Sequence, residues 1–162
     1  MDEPEWLTPD QIKEWKALMA LTLALPAALD RQLKRDSCLT GFEYHVLAAL
    51  SESPGRSLPM SVLATLANGS MSRLSHVVTR LERDGWVERR SSTLDGCRTE
   101  ARLTESGWIK VTQTAPGHVR EARRLVVDAL TPEELRALGS AARKIVHVAD
   151  PRLAPRLVED NA

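Results

Sequence analysis

Three times the chain repeats one short pattern, a threonine followed three residues later by glutamine or glutamate: Thr8-Pro9-Asp10-Gln11, Thr40-Gly41-Phe42-Glu43 and Thr131-Pro132-Glu133-Glu134. In each, the hydroxyl can accept from an unpaired backbone N–H of a new helix, and the later side chain returns a bond to the threonine's own N–H. Helices therefore start near residues 9, 41 and 132, which commits the chain to a mainly α architecture.

The apolar positions extend those starts. Ile12, Trp15, Leu18, Met19, Leu25, Leu29 and Leu33 form a helical stripe predicted to run to about Arg35, with Pro26 kinking or breaking it. Phe42, Val46, Leu47 and Leu50 form the inner face of a second helix that ends before Ser53-Pro54-Gly55. Leu58 leads into a short helix over 60–67, closed by Asn68-Gly69. Ser70 then caps a helix whose Leu74, Val77, Val78 and Leu81 recur at i, i+3, i+4, i+7, until Gly85 ends it in the left-handed conformation. Two such helices joined by a tight turn form a helix-turn-helix unit, and the second is of a size to enter the major groove of double-stranded DNA. Brief apolar and charged alternation over 86–91 and again over 99–103, around Leu94-Asp95-Gly96, predicts a small β-hairpin. Thr104 caps a helix expected over about 105–128, bent at Pro116-Gly117, and the last capped helix runs from 132 to about 148.

At 162 residues the chain suits one well-filled domain. Its 22 basic and 22 acidic side chains cancel, but their distribution is uneven. Residues 70–102 carry Arg73, Arg80, Arg83, Arg89, Arg90, Arg98 and Arg102 against five acids, a local excess of positive charge. The longest apolar run, around 18–29, is broken by Thr22 and Pro26, so no membrane span is expected. The acidic start MDEPEWLTPDQ lacks the pattern of a secretory signal, and the expected location is the cytoplasm. Cys38 and Cys97 lie far apart, outside any metal-ligand spacing or disulfide framework. His45, His76, His118 and His147 are scattered, with no nucleophile elbow or phosphate loop, so neither catalysis nor a cofactor is expected.

The order of these elements resembles the MarR family of dimeric winged-helix transcription regulators across nearly the whole chain. FEYHVLAALSESPGR is similar to the family's second helix and loop, SRLSHVVTRLERDGWVERR to its recognition helix and first wing strand, and LDG followed by RLTESG to the wing and the next helix start. The resemblance implies a winged helix-turn-helix with a helical dimerisation region. It divides the chain into a dimerisation helix over 1–38, a DNA-binding region over 39–103 and dimerisation helices over 104–149, and the proline-bearing terminus over 150–162 is expected to be a flexible tail. It further implies a homodimer on a pseudo-palindromic operator, most often a repressor released by a small-molecule effector.

Carried over by position, Ser70, Met71, Ser72, Arg73, Ser75 and His76 are the groove-facing candidates, Arg80 a phosphate contact, and Arg89, Arg90 and Arg98 contacts from the wing. Arginine at such a place can pair bidentately with guanine, serine can bond a base edge or phosphate, and a helix N-terminus favours an anion. Locally paired charge is the competing fate for Arg89 and Arg90, with Glu88 and Asp84 as nearby partners. Two positions depart from the family. Met71 stands where many members have arginine, and the wing reads Asp95-Gly96-Cys97-Arg98 in place of Asp-x-Arg, which shifts its arginine by one residue. A winged-helix protein-interaction module is therefore the alternative reading. A redox-responsive regulator, through a Cys97 thiol activated by Arg98, is another. Trp6, Trp15, Trp86, Trp108, Tyr44 and Phe42 could line an effector pocket, although their helical spacing favours core packing.

Overall fold

The computed structural model describes residues 5–91, 99–151 and 153. All three predicted capping boxes form, at the starts of helices α1 (Pro9–Ser37), α2 (Gly41–Glu52) and α6 (Pro132–Ala149). Between them lie β1 (Ser57–Pro59), α3 (Met60–Leu66), α4 (Met71–Arg83), β2 (Val87–Ser91), β3 (Thr99–Leu103) and α5 (Glu105–Ala122). The fold is mainly helical with a small antiparallel sheet, as the sequence predicts.

Three details differ from the sequence-based expectation. The hairpin has a third strand: β1 pairs with β3 through Ser57–Arg102, Leu58–Ala101 and Pro59–Glu100, giving the order β1-β3-β2. A strand of this length is too short to show alternation, which is why the sequence reads it as a lead-in to α3. Helix α1 passes Pro26 unbroken, because a 29-residue helix fixed by a capping box and tertiary contacts can absorb one missing N–H. Helix α5 likewise continues through Pro116 and Gly117, and its regular part stops short of the expected 128, giving way to a π-helical turn over Arg123–Val127.

The core belongs to the middle of the chain. Val46, Leu47, Leu50, Leu63, Leu74, Val78, Leu81 and Ala101 are fully buried between α2, α3, α4 and the sheet, with Leu33 of α1 and Val111 of α5 closing two sides. Outside this region apolar side chains lie open. Trp6, Trp15 and Leu23 are 83%, 52% and 75% exposed, and α6 has no buried residue at all. Trp6 and Trp15 are thus neither core nor pocket residues in the single chain. Trp86 and Trp108 instead pack half-buried against the core, beneath Lys110 and Arg56 respectively.

Two glycines set how α5 and the wing join the end of α4. A Cβ on Gly107 would sit 2.1 Å from the Trp86 carbonyl oxygen, so α5 approaches the end of α4 as closely as backbone can. There the hydroxyls of Thr104 and Ser106 both donate to the Gly85 carbonyl at 2.7 Å, and Thr104 N–H donates to Trp86 O at 3.0 Å. Gly85 itself has φ +76°, the left-handed helix stop expected of it. In the turn between α3 and α4 the left-handed residue is Asn68, at φ 50°, and not Gly69.

Candidate nucleic-acid interface

Helix α4 divides cleanly into two faces. Leu74, Val78 and Leu81 are buried, while Met71, Ser72, Arg73, Ser75, His76, Thr79 and Arg80 are exposed on the opposite side. Ser70 is its N-cap, as expected, its hydroxyl accepting from Arg73 N–H at 3.2 Å. The remaining unpaired N–H groups of the first turn point outward at the end where the helix dipole is positive.

The predicted arginines meet different fates. Arg73 lays its guanidinium over the Phe42 ring, 4.1 Å from the centroid, and the described residues offer it no hydrogen-bond acceptor. Arg80 pairs with Glu43 at 3.1 Å, a carboxylate that is almost fully buried and also accepts from Thr40 N–H and Oγ1. That partner lies 37 positions upstream, beyond any local pattern in the sequence. Arg80 remains half exposed, with part of its fork available outside the pair.

Arg89 is more deeply committed. Glu82 accepts its backbone N–H at 2.8 Å and pairs with its guanidinium, while Nη2 donates to Ser75 O at 2.9 Å and to Thr79 Oγ1 at 3.1 Å. The expected local partners were Glu88 and Asp84; the observed one is Glu82, because β2 returns alongside α4 and brings residue 89 against the helix's own side. Arg89 therefore fixes the wing strand to the recognition helix. Arg90 pairs with Glu88 at 2.6 Å, as the sequence allowed, and Arg102 approaches the same carboxylate at 3.9 Å from the adjacent strand. The wing turn at Asp95-Gly96, Cys97 and Arg98 lie outside the described residues.

Between the start of α3, α4 and the sheet edge lies a cleft of about 410 Å³, lined by Pro59, Met60, Ser61, Met71, Ser75, Arg89 and Thr99. It continues the exposed face of α4 towards the strands. Three residues that set this geometry escape sequence reasoning: Glu43 and Glu82, which hold arginines, and Phe42, which carries one. Only Glu82 leaves a legible trace, seven residues before Arg89 across a Gly-Trp turn.

A second polar cluster lies where α1, α2 and α5 meet. Gln32 is buried, donates to Asp36 Oδ2 at 3.0 Å and contacts His118 Nδ1 at 3.3 Å, while the His118 and Tyr44 rings pack 4.6 Å apart. Burial, with a smaller contribution from His45, lowers the His118 pKa and favours the neutral ring; burial raises that of Tyr44. No group of side chains able to hold a metal ion occurs among the described residues, and no helix among them is long and apolar enough to cross a membrane.

A helix-turn-helix followed by a strand pair and flanked by long helices defines a winged helix-turn-helix protein. The sequence model of the MarR family matches residues 39–96. Among solved structures, the chain is similar to Sco3205, a MarR family transcriptional regulator from Streptomyces coelicolor determined in complex with DNA. The two share 41% identity over 93% of this chain and 94% of the other, with a TM-score of 0.88. It is also similar to AbsC, a MarR family transcriptional regulator from the same organism, at 36% identity over 90% and 98% of the two chains and a TM-score of 0.85. Sco5413 shares the fold at 23% identity and a TM-score of 0.74. No curated protein matches the sequence. The chain belongs to the MarR family of transcriptional regulators.

Proposed function

We propose that the protein is a cytoplasmic, sequence-specific DNA-binding regulator that acts as a homodimer on a pseudo-palindromic operator, and that it represses transcription until a small molecule releases it. The observation that carries DNA binding is the outer face of α4. Ser72, Arg73, Ser75 and His76 stand exposed beside a helix N-terminus, and the N–H donors of the Arg73 guanidinium have no acceptor among the described residues. The DNA complex of Sco3205 supports the same reading. Within the proposed interface Ser72, Arg73, Met71 and His76 reach base edges, Ser75 and Ser70 lie near phosphate, and Arg80, Arg90 and Arg98 serve the backbone. Arg89 acts chiefly by fixing the wing.

Homodimer formation is supported by the bare apolar faces of α1 and α6, whose burial against a second copy would place two recognition helices on successive half-sites. On this reading residues 1–38 and 104–149 pair the subunits and 39–103 bind DNA. An effector is supported by the Gln32, Tyr44 and His118 cluster, which sits between the pairing helices and the DNA-binding unit.

Selection of duplexes from a random pool at two salt concentrations tests the proposal. An inverted repeat whose affinity falls steeply with salt is expected. Recovery of no sequence preference would favour a protein-interaction module, a reading to which the carboxylate pairing of Arg80, Arg89 and Arg90 lends weight. On the selected operator, Arg73→Ala should cost about 1–3 kcal/mol of specific binding. Equal losses on operator and random DNA would remove its base-reading role.

A further inference from the structure

The first turn of α2 makes three contacts from three consecutive residues. Gly41 N–H donates to Asp30 Oδ1 of α1 at 2.8 Å, the Phe42 ring carries the Arg73 guanidinium at 4.1 Å, and Glu43 Oε1 pairs with Arg80 Nη1 at 3.1 Å. Phe42 is thereby held on both sides along the backbone. Its own side chain is buried to 8% exposure, so its outer ring face is a fixed platform at the surface.

The remaining edge of that platform is set by Gly69. A Cβ there would lie 2.6 Å from two carbons of the Phe42 ring, and no positive φ calls for glycine at this position. The glycine is thus explained by the ring and not by the turn. A planar cation resting on an aromatic face loses little donor capacity, because the interaction uses the ring quadrupole and leaves N–H groups for hydrogen bonding. A long arginine held this way also surrenders less side-chain entropy when it meets a base.

From this arrangement we infer that Phe42 is a positioning residue for DNA reading: it presents Arg73 to the major groove in a preset orientation, and Gly69 keeps the space its ring requires. The inference rests on the DNA-binding reading above. Phe42 touches no DNA in this scheme; it acts through Arg73.

The test measures affinity of the full-length protein for the selected operator and for random duplex, with thermal stability followed in parallel. Phe42→Leu should lower operator affinity roughly three- to tenfold while leaving random-duplex affinity nearly unchanged, and Phe42→Tyr, which keeps the ring, should restore the preference. In an Arg73→Ala background Phe42→Leu should have no further effect on specificity. Gly69→Ala, which displaces the ring without removing it, should reproduce the operator-specific loss. Should Phe42→Leu prove too unstable to measure, Gly69→Ala and the NMR shift of the Arg73 δ-methylene protons, moved upfield by the ring in the free wild-type protein, carry the test. Equal losses on both duplexes, a Phe42→Leu effect that persists without Arg73, or unshifted Arg73 protons would each overturn the positioning role. Failure of the DNA-binding reading has another signature: the wild-type protein then prefers no duplex, and both proposals fall while the upfield shift still reports the stacking.

Discussion

Leu81 on the recognition helix and Ile145 on the last helix are residues of one chemistry in opposite circumstances: the first is fully buried and the second is half exposed. The contrast extends to their surroundings. A contiguous core runs from Leu33 to Val111 around the winged-helix unit, whereas Trp15 and Leu23 on α1 and Leu138, Ile145 and Val148 on α6 stand exposed among the described residues. A side chain of this size gains about 1.5–3 kcal/mol on full burial, a gain that the core residues have and the bare faces of α1 and α6 lack. The arms form helices nonetheless, because their capping boxes and apolar stripes are local properties. Among the described residues, secondary structure extends along the arms as well, while the apolar faces of α1 and α6 stay uncovered.

Four variants would break or sharpen that comparison. The largest effect is expected from placing charge on the bare face of α6. Leu138→Asp with Ile145→Asp should weaken self-association by about 5 kcal/mol, seen as monomers in sedimentation with the winged-helix spectrum retained. An unchanged dimer would show that α6 faces solvent and that the arms are bare for another reason. Next, Leu81→Ala should destabilise the DNA-binding unit by about 2–5 kcal/mol in urea unfolding; a loss below about 1 kcal/mol would mean that the core is looser than its burial indicates.

Arg89→Ala comes third. Losing the partner of a half-buried Glu82 should cost about 1–2 kcal/mol of stability with little change in the salt dependence of DNA binding. A salt slope shallower by about one unit would return Arg89 to phosphate contact. The smallest effect concerns Asp30, whose carboxyl is held below its usual pKa, first by the Gly41 N–H and then by Lys34. A depressed folded-state pKa contributes stability that is complete above the ordinary carboxylate range and is lost as pH falls through the folded value, below about pH 4. Asp30→Asn should therefore flatten the acid limb of a stability profile, and an identical limb in the variant would remove Asp30 from it.

Legibility in the sequence divides along the same line between local and distant. Caps, helix stops and the inner face of α4 depend on neighbours within one or two turns, and each appears where the spacing puts it. The fate of the arginines depends on distant partners. Arg80 meets Glu43 and Arg73 meets Phe42, pairs separated by 37 and 31 positions, and no periodicity encodes such meetings. Arg89 lies between these cases, since its partner Glu82 is near in sequence but becomes a neighbour only when the chain reverses at Gly85 and Trp86. Strand β1 is illegible for the opposite reason: it is a strand only because β3 lies beside it.

The close contact of Gly107 with Trp86 has an engineering consequence. The chain leaves the helical body at Trp86 and re-enters it at Thr104, and those two points are bonded to each other. The described parts of β2 and β3 are held further out as well, by β1 along β3 and by Arg89 against α4. Lengthening or replacing the sequence between Ser91 and Thr99 should therefore leave the register of α5 undisturbed, so new binding specificities could be grafted there without rebuilding the frame that carries them.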